Sequence, residues 1–120
     1  MMTTDCFLHG LTQVLSWHWE TKTFASHVAL GDSYKDFNKL IDRYIEIFQG
    51  KHGTVTLDGF RSCPEYLLFA DRVKVFQWFK SYLLIELTQD LDKVRDADLL
   101  NIRDEILGEL NHLNYLLTLE

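Results

Sequence analysis

Two histidines and two carboxylates carry the most chemical content in this sequence. Asp42 and Glu46 stand four residues apart, so on a helix they leave the same face one turn from each other. Carboxylates stacked in that way repel unless something cationic sits between them. A divalent metal does this well, because hard oxygen donors with imidazole suit iron, manganese or zinc. His27 precedes Asp42 by fifteen residues, which is ~20 Å along one helix at a rise of about 1.5 Å per residue. One chain cannot bring both to a single ion, whereas antiparallel helices from two copies can. The same residues also suit a metal-free arrangement. Trp17, His18 and Trp19 then act as core aromatics with a hydrogen-bonded imidazole, and His27 bonds locally near a helix start. Asp42 and Glu46 are bridged by His18 or a lysine in a buried polar network.

A second constellation is Glu105, Glu109 and His112, in which Glu109-Leu110-Asn111-His112 reads Glu-x-x-His. Di-iron bundles place that motif on two helices, and this sequence carries one copy. Other catalytic arrangements are absent from the sequence. There is no Gly-rich phosphate loop and no serine in a G-x-S-x-G turn. Cys6 and Cys63 have no obvious base beside them.

Four helical segments must position these groups. Phe7, Leu8, Leu11, Val14, Leu15 and His18 or Trp19 recur at three- and four-residue steps and predict a first helix from about Thr4 to Trp19. Polar Glu20 to Thr23 ends it, with a threonine available to cap the next helix. That second helix, about Phe24 to Gln49, sets Leu30, Tyr34, Phe37, Ile41, Tyr44 and Phe48 on a heptad-like seam. Gly50 and the Lys51-His52-Gly53 that follows stop it. A loop from about Thr54 to Arg61 contains Val55, Leu57 and Phe60, which predicts that it lies against the rest of the molecule or a neighbour. Ser62-Cys63-Pro64-Glu65 reads as a capping box with proline in the first turn, opening a third helix that runs through Tyr66 to Leu87. That helix is apolar around much of its circumference, which predicts burial on two sides, the second against another subunit. The last helix begins near Ala97 and Asp98, with Leu99, Ile102, Ile106, Leu110, Leu113, Leu116 and Leu117 as its stripe.

A chain of 120 residues supports one hydrophobic core, so residues 1–120 are read as one domain. Apolar residues make up 47% and there is a single proline, a composition of compact helical proteins. With twelve Lys and Arg scattered among eighteen acids, net charge −6, no basic stripe exists to neutralise a phosphate backbone. Nucleic acid is not an expected partner. No run approaches the roughly 18 apolar residues of a membrane span, and the first residues carry no secretion signal. Cys6 and Cys63 lie far apart with no CxxC or Cys/His spacing, which argues against a zinc knuckle or a disulfide framework and predicts a reducing, cytoplasmic setting.

The run His18-Trp19, Phe24, His27, Tyr34, Asp42, Glu46 and Gly50 resembles the signature of the Dps miniferritins, a ferritin-like family. The resemblance covers about Leu11 to Gly50, with a weaker likeness over the last helix. It implies an all-α, ferritin-like (Dps-like) four-helix bundle, at least dimeric. His18 and His27 from one subunit, with Asp42 and Glu46 from its partner, would then bind iron or another divalent metal and oxidise Fe(II). The interval between the two histidines is shorter than is usual in that family, and no lysine-rich tail is present, so DNA condensation is not implied. The chain is also similar to small helical proteins of large bacteriophages. They share a His-Trp-Glu/Gln-Thr segment and an ending like Ile102-Arg103-Asp104-Glu105-Ile106 with Tyr115 to Leu119. That likeness implies a fold and no activity. It leaves a competing expectation, a metal-free interaction protein that binds a host factor through helix three or the Val55 to Phe60 loop.

Overall fold

The computed structural model describes residues 4–59 and 63–119. They form four α-helices and no β-strand among the described residues: α1 (Asp5–Glu20), α2 (Phe24–His52), α3 (Arg72–Ser81) and α4 (Ala97–Leu116). A 3-10 turn, Phe69–Asp71, leads into α3, and a π-helical turn, Tyr82–Glu86, continues it. The chain is therefore all-α. No helix among the described residues is long and apolar enough to cross a membrane.

Local chemistry explains most of the boundaries. Thr23 Oγ1 accepts the amide of Ser26 and caps the start of α2, as its sequence predicts. At the other end α2 runs past Gly50 and stops at Gly53, whose φ of 97° lies in the region that only glycine enters without strain. The inward stripe of α1 is Phe7, Leu11, Val14 and Trp17, while Trp19 stands 71% exposed. The expected stripe is thus corrected: it ends on Trp17 rather than on His18 or Trp19, and Leu8, expected on it, is exposed. The α2 seam holds: Leu30, Phe37, Ile41 and Tyr44 are buried, with Tyr34 and Phe48 packed at its edge.

The third helix departs from its expected start. Ser62 lies outside the described residues, and from Cys63 to Leu68 the chain is not helical. The reason is a set of side chains on α1. Gln13 Oε1 accepts the amide of Leu67 at 2.7 Å, and its Nε2 donates back to the Leu67 carbonyl at 3.2 Å. That carbonyl also accepts from Trp17 Nε1 at 2.9 Å. Glu20 then takes the amide of Phe69 at 3.0 Å. With these groups occupied, a helix cannot use them until Phe69.

The contacts also give the helix directions. His18 meets His27 and Phe7 meets Tyr44, so α1 and α2 are antiparallel. Trp17 meets Phe76 and Phe7 meets Tyr82, so α3 is antiparallel to α1 as well. Ser33 meets Glu109 and Lys51 meets Asp98, which sets α4 antiparallel to α2. Helices α1 and α4 therefore run one way and α2 and α3 the other. Such an order needs one connection that travels the length of the molecule. Residues 53–59 and 63–68 belong to it and run beside α1: Thr56 lies at Thr4, Asp58 at Asp5, Tyr66 at His9 and Leu67 at Gln13, with Phe69 at Glu20 where the 3-10 turn begins.

One core joins all four helices through Trp17, Leu30, Tyr44, Phe76, Leu83, Leu99, Ile106 and Leu113. On the third helix Val75, Phe76, Phe79, Tyr82 and Leu83 face that core, while Val73, Leu84 and Ile85 are exposed. The π turn closes with the Leu87 amide on the Tyr82 carbonyl at 2.9 Å. The Leu83 carbonyl accepts Arg103 Nη1 at 3.1 Å, tying the turn to α4.

Candidate functional site

His18 closes α1 and His27 sits in the first turn of α2, so the three-residue turn between the helices places them side by side. Their rings stack with centroids 3.9 Å apart and planes 16° from parallel. Each Nδ1 bonds the main-chain carbonyl of the other residue, both at 2.7 Å. A carbonyl only accepts, so each Nδ1 carries the hydrogen, and the tautomer this fixes for an uncharged ring has its lone pair on Nε2. Neither Nε2 has a hydrogen-bond partner among the described residues. An imidazole whose Nδ1–H is fixed by a backbone carbonyl is oriented as metal-binding histidines generally are. With the planes nearly parallel, the two in-plane lone pairs do not converge on one point.

Gly31 makes the arrangement possible. A Cβ at this position would lie 2.8 Å from His18 Cε1, so the imidazole rests on the bare α2 backbone. Trp19, Phe24 and Val28 surround the pair and are exposed, Phe24 by 81%. Together with Asp32 and Lys35 they rim an open depression of about 490 Å³.

Asp42 and Glu46 are not brought to the histidines. Both lie on α2, exposed, and neither makes a hydrogen bond or ion pair among the described residues. The helix is continuous from Phe24 to His52, so the ~20 Å between His27 and Asp42 stands. Within one chain, no group of three or more His, Cys, Asp or Glu among the described residues is placed to hold a metal ion. As a donor set split between two copies, imidazole with two free carboxylates fits a divalent ion. In the second constellation Glu109 accepts Ser33 Oγ at 2.9 Å, while Glu105 and His112 are exposed. Asp104 pairs with Arg103 at 2.8 Å.

Several polar groupings have no local signature in the sequence. Asp96, with a side chain 3% exposed, accepts the Asp92 amide at 2.9 Å and His52 Nε2 at 2.7 Å, with Lys51 Nζ at 3.3 Å. The Asp92 amide, aided by His52 and Lys51, outweighs burial and holds the Asp96 carboxyl at about 2. Lys51 also reaches Asp98 at 2.7 Å and the Arg95 carbonyl, so one cluster staples the end of α2 to the start of α4. His9 is buried on α1, stacked on Tyr66 at 4.4 Å and edge-on to Trp78. Its nitrogens make no well-formed hydrogen bond among the described residues, and burial lowers its pKa despite nearby Pro64 and Glu65 carbonyls. Cys6 and Cys63, far apart in sequence, lie with their sulfurs 3.7 Å apart.

No curated protein and no solved structure matches the chain. Residues 18–117, from the first histidine of the pair to the last core leucine, match the family of unknown function DUF5856, and the chain belongs to that family.

Proposed function

We propose that this chain is a Dps-like, ferritin-like four-helix bundle that binds iron or another divalent metal between two copies of itself and oxidises Fe(II) there. The observation that carries the reading is the His18–His27 pair, each ring locked by Nδ1 with Nε2 left for a ligand. Asp42 and Glu46, unpaired on the same helix and a long way down it, are the carboxylates a second copy would offer. Helix order supports the same reading, since ferritin-like bundles use one long crossover. So does the exposed apolar rim of Trp19, Phe24 and Val28, which a second chain would cover.

In this site His27 Nε2, with His18 beside it as the second imidazole, faces the partner copy's carboxylates, which neutralise the ion's charge. Metal bound there would give up an electron to O2 or peroxide. The test is to prepare protein without chelator or affinity metal, add Fe(II) anaerobically and then admit oxygen. Saturable binding and rapid oxidation are expected in the wild type and lost in the Asp42→Asn/Glu46→Gln double variant, whose fold should be intact. Identical behaviour of the two proteins would overturn the metal reading.

One observation favours a second reading, a metal-free interaction module such as a phage protein that binds a host factor. Val73 at the start of α3 and Leu84 and Ile85 in the π-helical turn that continues it are exposed apolar residues. In that case Leu84→Glu with Ile85→Lys abolishes partner binding, and the Asp42/Glu46 double variant leaves it unchanged.

A further inference from the structure

Cys6 sits in the first turn of α1 and is 3% exposed, while Cys63 is partly buried where the crossover passes that turn. Their sulfurs are 3.7 Å apart, and a disulfide of about 2.05 Å requires them to close by roughly 1.7 Å. Cys63 lies in a stretch without regular structure, so side-chain rotation and a small backbone shift can supply that movement. The surrounding ties already hold the two segments in register. The Thr4 amide bonds the Thr56 carbonyl at 2.9 Å and the Asp58 amide bonds the Asp5 carboxylate at 3.1 Å. One residue beyond Pro64 and Glu65, Tyr66 stacks on His9.

We propose that Cys6 and Cys63 are a reversible redox pair that a hydroperoxide converts to a disulfide, fastening the crossover to α1. Cys63 is the more accessible thiol and meets the oxidant. Its thiolate sulfur attacks one peroxide oxygen, an S–O bond forms, the O–O bond breaks, and hydroxide leaves to give a sulfenic acid. The Cys6 sulfur then attacks the Cys63 sulfur and expels the oxygen as hydroxide, which takes up the Cys6 proton. In sum two thiols and one hydrogen peroxide give one disulfide and two waters. A dithiol reductant reverses the step by exchange. Burial raises the pKa of both thiols, so the reaction accelerates as pH rises. The pairing stands on the thiol geometry and is independent of the metal reading.

The experiment uses the full chain, fully reduced, with chelator present so that bound iron does not consume peroxide. Hydrogen peroxide is added at about pH 8.5, near the ordinary thiol pKa, and the intact mass is read under denaturing conditions. The expected result is a monomer that has lost two hydrogens and yields a cross-linked peptide containing Cys6 and Cys63. Dithiothreitol should restore both thiols. The closed loop of more than fifty residues should raise Tm by on the order of 10 °C. In Cys6→Ser a sulfenic acid trapped by dimedone should appear on Cys63, and in Cys63→Ser Cys6 should stay unmodified. Two outcomes overturn the proposal: both thiols still alkylatable after a treatment that fully oxidises glutathione, or oxidation only to intermolecular dimers. The wild-type mass decides the matter even if a serine variant fails to fold.

Discussion

The side-chain amide of Gln13 makes to the backbone of Leu67 the two hydrogen bonds that a neighbouring β-strand would make, accepting at 2.7 Å and donating at 3.2 Å. Gln13 is buried, and an apolar residue there would leave the Leu67 amide without an acceptor. In the helix expected to open at Ser62 to Glu65 that amide would instead bond the Cys63 carbonyl, so the contact with Gln13 selects the extended path of the crossover over an earlier start for α3.

Gln13→Leu should therefore destabilise the protein by about 2 kcal/mol, the cost of an unmet buried amide less the gain from added apolar burial. Urea denaturation measures it, and a loss under about 0.5 kcal/mol would show that the Leu67 backbone finds another partner.

Two helical glycines should respond in opposite ways. Alanine in a helix interior gains about 1 kcal/mol over glycine, and at Gly108, where a Cβ meets nothing within 4 Å, that gain should be realised. At Gly31 the new methyl strikes His18 at 2.8 Å, and the displaced ring should give up its 2.7 Å bond to the His27 carbonyl. Gly31→Ala should be neutral or destabilising, and the imidazole Nδ1–H resonances should lose their hydrogen-bonded shifts. Equal stabilisation at both sites would remove the close approach as an explanation.

Burial lowers the pKa of His9 below its ordinary 6.5, so the unfolded chain binds this proton before the folded one does. Stability is then full above about pH 6.5 and falls as pH drops through the interval down to the folded value. His9→Phe keeps a ring against Tyr66 and removes the proton. Its Tm should be flatter than the wild type's from pH 7 to about pH 5, a contrast readable by differential scanning calorimetry.

Asp96 works at lower pH. Its folded pKa of about 2 lies below the ordinary 3.8, so its contribution is present above about pH 4 and is lost as pH falls through 2. Lys51 and His52 are partly exposed, at 28% and 36%, so the ion pairs themselves add under about 1 kcal/mol. Asp96→Asn, which also weakens the bond from the Asp92 amide, should cost about 1–2 kcal/mol at neutral pH. The two proteins should converge near pH 2, and a constant difference across the titration would contradict the assignment.

Three of the four helices were legible in the sequence because their signals are local. The α2 seam repeats at three and four residues, Thr23 caps where a threonine should, and α4 begins at Ala97 as expected. The start of α3 was not legible for the opposite reason. Pro64 and Glu65 look like a first turn, but the groups that overrule them, Gln13 and Glu20, come from about fifty residues earlier and sit on an apolar helix where no pattern ties them to Leu67 or Phe69. The meeting of Cys6 with Cys63 was hidden likewise. Of the candidate site, the sequence marked both histidines, and their contact follows from the short turn between α1 and α2. Their mutual use of carbonyls depends on the bare backbone at Gly31, which no spacing rule signals.

The crossover that shadows α1 also bears on the order in which the chain can assemble. While the chain is being synthesised, α1 and α2 are complete before residue 53, yet Gln13, Trp17 and Glu20 find their backbone partners only when residues 67 and 69 have emerged. Until then the nascent hairpin exposes the face on which α3 and the crossover will lie. Because those contacts span about fifty residues, closing them costs more chain entropy than a simple up-and-down hairpin would, and it slows folding relative to bundles joined by short turns. The early hairpin is thus the stage at which the chain is most open to capture, by a chaperone or by a second copy of itself.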